Sequence, residues 1–261
     1  YLRGMFAFSI WDSDRKELFL SRDRLGIKPL FYYLDEEKFI WSSEIKSILS
    51  SNNINNDIAV ECIDHYLAYG YTPIDQTIYN NIKKLLPGHH LLINQESNIE
   101  IKKYWDVKYN PDFSKSKEFW EESIFRVLND SVKLRMRSDV PLGVFLSGGI
   151  DSSIVTALMA RNSANPIKTF SLGFKEKEIS ELAYAKEVSE RYSTEHHEFI
   201  LQPESIDLLP KLVSMYDEPF ADSSAIPTYY ISKYTREHVT VALSGDGGDE
   251  IFGGYNSYNK M

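Results

Sequence analysis

The residues with the clearest chemical potential lie in the stretch 143–153, GVFLSGGIDSS. Gly143 and Gly148 are five positions apart, as in the phosphate-binding pattern G-x-x-x-x-G-K-[ST], but Gly149 stands where that pattern requires lysine. Glycines let backbone N–H groups approach phosphate oxygens, and the first amides of a helix that follows a strand form an anion site. The stretch therefore predicts a polyphosphate loop without its usual cationic side chain.

An acidic residue inside this loop indicates what replaces the lysine. Asp151 would repel a polyphosphate unless a divalent cation lay between them, and Mg²⁺ is normally held by one or two carboxylates together with phosphate oxygens. Ser147, Ser152 and Ser153 add hydroxyl donors. The alternative interpretation is a helix that is capped by serine or aspartate after a glycine turn and binds no ligand.

A second stretch, residues 243–255 with the sequence LSGDGGDEIFGGY, has the same character. It places Asp246, Asp249 and Glu250 among five glycines after a short apolar run. Loops rich in glycine and acids at the end of a strand are expected where a ligand approaches the backbone, so Asp249 is predicted to be the second metal carboxylate. The alternative is a glycine-rich turn with solvated acids.

Other residues with reactive side chains are predicted to be structural. Cys62 lies among apolar neighbours in a helical pattern and is interpreted as a buried packing residue. His196 and His197 occupy one short strand and face opposite sides, and His89 and His90 follow a Pro-Gly turn.

The elements that must position the two glycine-rich loops follow a regular alternation. Helices and short strands succeed one another from residue 117 onward, which predicts a parallel sheet built from βαβ units. We expect helices at 117–137, from 152, at 180–192, from 203 and up to about 237, strands at 143–147, 167–173, 195–201 and 239–245, and a loop at 216–225. Both glycine-rich loops then lie at carboxyl ends of strands, where ligands of such sheets bind.

The first part of the chain has a different sequence pattern. Up to Trp105 it consists of short aromatic and β-branched runs broken by turn formers, which predicts a mostly antiparallel sheet in two layers. Residues 59–70 carry a helical apolar pattern, and 86–105 read as a hairpin. The predicted domains are 1–105 and 117–261, joined by a linker at 106–116.

Composition excludes several classes of protein. The 261 residues are 43% hydrophobic and 26% charged, which is typical of a soluble globular chain. A net charge of −9 disfavours nucleic acid as a partner, and no apolar run reaches the ~20 residues of a membrane span. The single cysteine excludes an intramolecular disulfide and predicts a reducing, cytoplasmic setting. Because the sequence begins with tyrosine inside a predicted strand, we expect a fragment that is cut at both ends.

Taken together, these motifs resemble the glutamine-hydrolysing asparagine synthetase family. The strings SGGIDSS, SGDGGDEIFGGY and YDEPFADSSAIPTYY carry the resemblance in the second predicted domain. The strings GMFAFSIWD, SRDRLGIKPLFYY, SSEIKSIL and LPGHHL resemble the second half of the family's N-terminal glutaminase domain, a class II glutamine amidotransferase. The resemblance implies an α/β plus β-rich fold: a partial Ntn-type glutaminase sandwich followed by a parallel-sheet ATP pyrophosphatase domain of the adenine nucleotide alpha hydrolase type.

The resemblance also implies a reaction and a set of residues. The reaction is ATP-dependent amidation of aspartate to asparagine through a β-aspartyl-AMP intermediate, with ammonia from glutamine; ATP and Mg²⁺ are the cofactors. The positions that match family motifs are Ser147, Gly148, Gly149, Asp151, Ser152 and Ser153 for pyrophosphate, Phe145, Leu172, Ser244 and Gly245 for the nucleotide, Asp151 and Asp249 for magnesium, and Asp246 and Asp151 for catalysis.

The sequence also departs from the family pattern. The family's N-terminal cysteine nucleophile has no counterpart here, and Cys62 cannot replace it. The resemblance implies a later catalytic lysine that would lie beyond Met261, so the fragment alone is expected to be inactive. Asp246 stands where many asparagine synthetases have glutamate. Two alternatives therefore stay open: amidation of another carboxylate, such as a sugar acid or a secondary metabolite, and a catalytically silent nucleotide-binding paralogue. A homodimer is also left open.

Overall fold

The computed structural model describes residues 2–175, 181–201, 208–255 and 258. Within these residues, no helix has the length and apolar character needed to cross a membrane. The chain forms two compact units. Unit 1 contains Tyr1–Pro111 and Leu209–Asp222, and unit 2 contains Asp112–Leu208 and Ser223–Met261.

The strands and helices follow one another in the order that the sequence predicts for most of the chain. They are β1 (Ala7–Asp12), β2 (Glu17–Arg22), β3 (Phe31–Leu34), β4 (Phe39–Ser42), α1 (Ile45–Leu49), α2 (Val60–Tyr69), β5 (Ile82–Lys84), β6 (His89–Ile93), β7 (Ile99–Lys103), α3 (Lys117–Arg135), β8 (Leu142–Phe145), α4 (Ile150–Asn162), β9 (Lys168–Gly173), α5 (Leu182–Arg191), β10 (Glu195–Ile200), α6 (Leu209–Tyr216), α7 (Ala225–Thr235), β11 (Val241–Leu243) and α8 (Gly248–Phe252).

Unit 1 contains two antiparallel sheets that share a core. One has the strand order β1-β2-β6-β7 and the other β4-β3-β5. Apolar side chains from both sheets form one buried cluster: Leu18, Leu20, Leu30, Tyr32, Leu85, Leu91 and Ile93. The period-2 alternation of β2 puts Leu18 and Leu20 into this core. The antiparallel pairing is as predicted, and the Ntn-type sandwich stays a prediction.

The loop after β2 is organised by a buried carboxylate. Asp23 is 1% exposed, and its two oxygens accept hydrogen bonds from the backbone N–H groups of Phe6, Leu25, Ile27 and Lys28 at 2.9–3.3 Å. Burial by itself would raise the pKa of Asp23, but these backbone hydrogen bonds outweigh it and lower the pKa. The neighbouring Arg22 guanidinium donates to the carbonyls of Lys28, Leu85 and Gly26. The Arg-Asp pair therefore fixes the path of this loop.

Residues 209–222 belong to unit 1, although the sequence analysis assigned them to the second domain. Glu218 anchors them: its carboxylate pairs with Lys84 Nζ at 2.9 Å and accepts from Ile78 N at 3.0 Å and from Thr72 Oγ1 at 3.2 Å. The Glu218 and Lys84 side chains are only 15% and 20% exposed. Because these partners lie far from Glu218 along the chain, no local pattern indicates the anchor.

Unit 2 contains the predicted parallel sheet. Its strand order is β10-β9-β8-β11, and every neighbouring pair is parallel. The chain moves outward from β8 through β9 to β10 and then returns to place β11 on the other side of β8. This reversal between β8 and β11 is the topological switch point, where ligands of open α/β sheets bind.

Several boundaries in unit 2 differ from those predicted. Strand β8 ends at Phe145 and α4 begins at Ile150, each two residues earlier than expected. Helix α8 was not predicted, because a glycine-rich acidic sequence favours a loop; left-handed glycines at both of its ends, Gly247 and Gly253, frame this short helix. Part of the helix predicted from residue 203 lies outside the described residues, and α6 begins at Leu209.

Replacement of the buried carboxylate in unit 1 should destabilise the protein. Asp23→Asn exchanges one acceptor oxygen for an NH₂ group that would face backbone donors, so we expect the free energy of unfolding at pH 7 to fall by about 2–4 kcal/mol. Urea unfolding measures this change. Asp14→Asn, at an exposed turn position, is the control and should cost less than about 0.5 kcal/mol.

The stability of the wild type and that of Asp23→Asn should also depend differently on pH. The folded-state pKa of Asp23 is lowered, so its stabilising contribution is present above the unfolded value of about 3.9 and is lost as the pH falls through the folded pKa. Below about pH 4 the wild type should therefore lose stability more steeply than Asp23→Asn. Parallel curves for the two proteins would contradict the assigned role.

Candidate functional site

A cleft of about 860 Å³ opens at the switch point of unit 2. Strands β8 and β11 lie side by side, with Gly143 opposite Ala242 and Val144 opposite Leu243, so the loops that follow them start next to each other. Both glycine-rich loops line the cleft and contribute four acidic side chains to it, Asp151, Asp246, Asp249 and Glu250. Glu181, which precedes α5, is a fifth acidic residue in the lining. The two stretches that the sequence singled out therefore form one site.

The first loop leaves the amino end of α4 open toward the cleft. Gly149 is the N-cap residue, and no side chain caps the helix. Ser147 N donates to Ser152 Oγ at 3.2 Å, Ser147 Oγ lies 2.9 Å from Ser152 Oγ, and Gly149 N donates to Ser147 Oγ at 3.2 Å. The hydroxyls hold the loop in shape, while the first amides of α4 have no intrahelical partner and remain available to an anion.

Both the backbone conformation at position 148 and the space around it require glycine. Its φ of +86° is left-handed, and a Cβ atom at this position would lie 2.5 Å from Tyr184 Cβ and 2.6 Å from Ala185 N. The loop thus packs directly against the start of α5. Gly148 supports the site from behind and does not line the cleft.

The second loop approaches the first through two further glycines. A Cβ atom at Gly245 would lie 2.7 Å from Ser152 N, and one at Gly248 would collide with the Asp151 carboxylate. The backbone of residues 245–248 is therefore in contact with the first turn of α4. Only glycine, which has no side chain, allows the two loops to approach each other so closely.

This approach concentrates negative charge. Burial is the main cause that raises the pKa of Asp151, and the charges of Asp249 and Glu250 raise it further. Tyr255 donates to Glu250 Oε1 at 2.8 Å, which is the largest cause that raises the pKa of Tyr255 to about 12. Ser244 Oγ donates to Asp246 Oδ2 at 2.9 Å. Among the described residues, no donor reaches the carboxylates of Asp151 and Asp249.

The carboxylate oxygens of Asp151 and Asp249 are chemically suited to bind a magnesium ion. Two carboxylates without hydrogen-bond donors are hard oxygen ligands, and Mg²⁺ is commonly held by one or two carboxylates plus phosphate oxygens. The described part of the chain contains no group of three or more histidine, cysteine, aspartate or glutamate side chains arranged to hold a metal by themselves. A cation here would therefore complete its coordination with water and with oxygens of a bound phosphate.

Most of the residues singled out from the sequence line the cleft. They are Phe145, Ser147, Gly149, Asp151, Ser152, Leu172, Ser244, Gly245, Asp246 and Asp249. Ser153 does not line it; its Oγ is buried and has no hydrogen-bond partner within the described residues. Other lining residues, which are apolar or distant in the chain, were not predicted from the sequence; they include Phe174, Glu181, Pro227, Thr228, Ile231, Phe252 and Tyr255. Pro227, Thr228 and Ile231 share one face of α7, a signal that helical spacing contains but that only the fold makes specific.

The residues interpreted as structural lie outside the cleft. Cys62 is fully buried, and its thiol donates to Gln76 Oε1 at 3.3 Å. His197 stacks on Phe170, and His196 Nδ1 lies 2.8 Å from Thr169 Oγ1. Burial is the main cause that lowers the pKa of His196.

Comparison with known protein families places this geometry in context. The family model described as asparagine synthase matches residues 123–261, more than half of the chain. The chain belongs to the asparagine synthase family. A second model, described as a glutamine amidotransferase domain, matches residues 1–105. Both matches agree with the resemblance found in the motifs.

Two curated relatives resemble the chain over nearly its full length. A putative glutamine-hydrolysing asparagine synthetase 2 from Methanocaldococcus jannaschii is 43% identical over 98% of this chain and 50% of its own length. Asparagine synthetase 1 from Bacillus subtilis is 39% identical over 99% of this chain and 41% of its own length. The chain thus spans about half or less of these relatives. A solved glutamine-dependent NAD⁺ synthetase from Acinetobacter baumannii, in complex with ADP, aligns with 96% of this chain and 61% of its own at a TM-score of 0.39 and 14% identity.

The steric role of Gly148 can be separated from its backbone role. Gly148→Ala should lower the free energy of unfolding by about 2–4 kcal/mol, because a left-handed alanine costs about 1–2 kcal/mol and the overlap with α5 adds to this. Gly247→Ala is the matched control: its φ is +92°, but its Cβ would meet nothing within 4 Å, so only the backbone cost of about 1–2 kcal/mol applies. Urea unfolding compares the two, and equal losses would contradict tight packing of the loop on α5.

Proposed function

We propose that this chain carries the nucleotide-activating site of a ligase that amidates a carboxylate at the expense of ATP. The observation that carries the proposal is the convergence of Asp151 and Asp249 at the open amino end of α4, from loops that follow two adjacent parallel strands. Free amides, hydroxyls and a pair of carboxylates without donors suit a Mg²⁺-bound polyphosphate. Membership in the asparagine synthase family supports this assignment.

The residues of the cleft divide the work of binding. The first amides of α4 and the hydroxyls of Ser147 and Ser152 bind phosphate oxygens. Ser153 is not included, because its hydroxyl does not line the cleft. Asp151 and Asp249 would hold Mg²⁺, and the ion would neutralise charge that builds up on the leaving pyrophosphate. The apolar side chains of Phe145 and Leu172, which lie beside the loops, are proposed to enclose the nucleotide together with the backbone of Ser244 and Gly245.

The proposed reaction has two balanced steps. A carboxylate oxygen of the acceptor attacks the α-phosphorus of ATP, the bond to the β-phosphate breaks, and pyrophosphate leaves from an acyl-adenylate. Ammonia then attacks the acyl carbon, loses a proton, and AMP leaves. Amides aimed at the phosphates stabilise charge on pyrophosphate, and Asp246, at the rim of the same cleft, is proposed to act in catalysis.

Aspartate is the proposed acceptor, and glutamine is the proposed source of ammonia. Both curated relatives described above are named glutamine-hydrolysing asparagine synthetases, which supports aspartate over a sugar acid or a secondary metabolite. The match of residues 1–105 to a glutamine amidotransferase domain supports glutamine as the ammonia donor. The intact pair Asp151 and Asp249 argues against a catalytically silent paralogue.

The products distinguish this reaction from other ATP-dependent ligations. The complete protein, supplied with ATP, Mg²⁺, glutamine and a panel of carboxylic acids, should release equal amounts of AMP and pyrophosphate with aspartate and yield asparagine. Chromatography of the nucleotides and an enzymatic pyrophosphate assay measure both products. Release of ADP and orthophosphate would contradict the proposal, and turnover with a different acid alone would replace aspartate as the acceptor.

A single substitution tests whether the reaction depends on the pair of carboxylates Asp151 and Asp249. Asp151→Asn keeps the size of the side chain and removes its charge, so we expect AMP and pyrophosphate formation to fall by about 10² or more. Glu187→Gln, an exposed change on α5, should leave the rate unchanged. Ordinary pyrophosphate release by Asp151→Asn, or activity without a divalent cation, would contradict the assignment of this loop.

The same variant should be at least as stable as the wild type. The folded-state pKa of Asp151 is raised, so the folded protein binds its proton more tightly, and ionisation at neutral pH opposes folding. Wild-type stability should therefore rise as the pH falls from the raised folded pKa toward the unfolded value of about 3.9, and Asp151→Asn should lack this contribution. Thermal unfolding between pH 4 and pH 8 measures it.

A further inference from the structure

The four acidic side chains that the two glycine-rich loops contribute to the cleft fall into two classes. Glu250 and Asp246 each accept a hydrogen bond from a hydroxyl, of Tyr255 and of Ser244 respectively. No donor among the described residues reaches the carboxylates of Asp151 and Asp249. The proposed cation ligands are thus the two loop acids that have no donor, and Glu250 is set apart from its neighbour Asp249 by the hydroxyl of Tyr255.

A tight turn after α8 brings Tyr255 to Glu250. Helix α8 ends at Gly253, which has a left-handed φ of +69°. Gly254 N then donates to Asp249 O at 3.0 Å, and a Cβ atom at Gly254 would collide with the Asp249 carboxylate. The chain therefore folds back over the first turn of α8, and the phenol oxygen of Tyr255 comes within 2.8 Å of Glu250 Oε1.

Glu250 would become a third cation ligand if it were released. It adjoins Asp249 in sequence, lines the same cleft, and lies close enough to Asp151 for its charge to act on that residue. Mg²⁺ usually takes one or two carboxylates and keeps its other positions for water and phosphate, whereas sites with more carboxylates suit Ca²⁺. Within the described residues, no group of three such side chains is arranged around a metal position.

We propose that Tyr255 is a positioning residue that holds Glu250 out of the cation site, so that Asp151 and Asp249 alone bind the ion and leave its remaining positions to phosphate oxygens. This inference rests on the proposed function, because it presumes that the pair binds a cation. It adds a determinant of cation choice, located in a residue that does not itself bind the metal.

Removal of one oxygen atom tests the inference. Tyr255→Phe keeps the ring, which packs against Tyr258 with ring centroids 5.6 Å apart, and removes only the donor to Glu250. We expect this variant to bind Mn²⁺ about tenfold more tightly than the wild type in the absence of nucleotide, as a third carboxylate joins the site. With ATP present, it should also accept Ca²⁺ in place of Mg²⁺ more readily. Electron paramagnetic resonance of free Mn²⁺ measures the affinity.

Two further variants make the result specific. Tyr258→Phe removes a phenol oxygen from the neighbouring ring and should bind Mn²⁺ like the wild type. The double variant Tyr255→Phe with Glu250→Gln should lose the tenfold gain, because the released side chain no longer carries a charge. A gain that persisted in the double variant would assign the effect to something other than Glu250 and would overturn the proposal.

The outcomes separate this inference from the proposed function. If the wild type binds Mn²⁺ with ATP, and Asp151→Asn abolishes that binding, the cation site stands; an unchanged affinity in Tyr255→Phe would then overturn the positioning role alone. If the wild type shows no Mn²⁺ site that depends on Asp151, the proposed function fails first. Circular dichroism of each variant checks that the fold is retained.

Discussion

The close approach of two backbones at the switch point is the constraint on which the site depends. Adjacent strands of a sheet lie about 4.8 Å apart, so the loops that leave β8 and β11 have little room for side chains between them. Gly245 meets the Ser152 amide, and Gly248 meets the Asp151 carboxylate. A side chain at either glycine would push the second loop away from α4, and the acids of the two loops would no longer share one cleft.

This packing forces like charges together, which opposes folding. Asp151 is partly removed from water beside Asp249 and Glu250, and its raised pKa expresses the resulting penalty. A chain selected only for stability would place an uncharged residue there. The conflict is typical of functional sites, where a locally unfavourable arrangement is retained because a ligand relieves it, and here a cation and a polyphosphate would do so.

The sequence predicted those features that depend on local pattern. Helical and strand periodicity predicted the alternation of unit 2, and the glycine-rich loops around Asp151 and Asp249 predicted a shared site because carboxyl ends of parallel strands lie at one edge. Features that depend on distant partners were not predictable. The contacts of Glu218 involve Thr72, Ile78 and Lys84, which are more than 130 residues away in the sequence. The face of α7 becomes part of the cleft only through the fold. Helix α8 forms although its glycines favour a loop.

Because residues 209–222 belong to unit 1, that unit cannot complete its packing until they have been synthesised. Ile78 and Glu218 are 140 residues apart in sequence, yet they share a hydrogen bond in that unit. While the protein is being synthesised, residues 1–111 emerge long before Glu218, and Lys84 then lacks its carboxylate partner. Contacts of such large sequence separation form slowly because a long loop must close first. The first unit therefore reaches its final packing only after much of the second has left the ribosome, so the order of synthesis is not the order of completion.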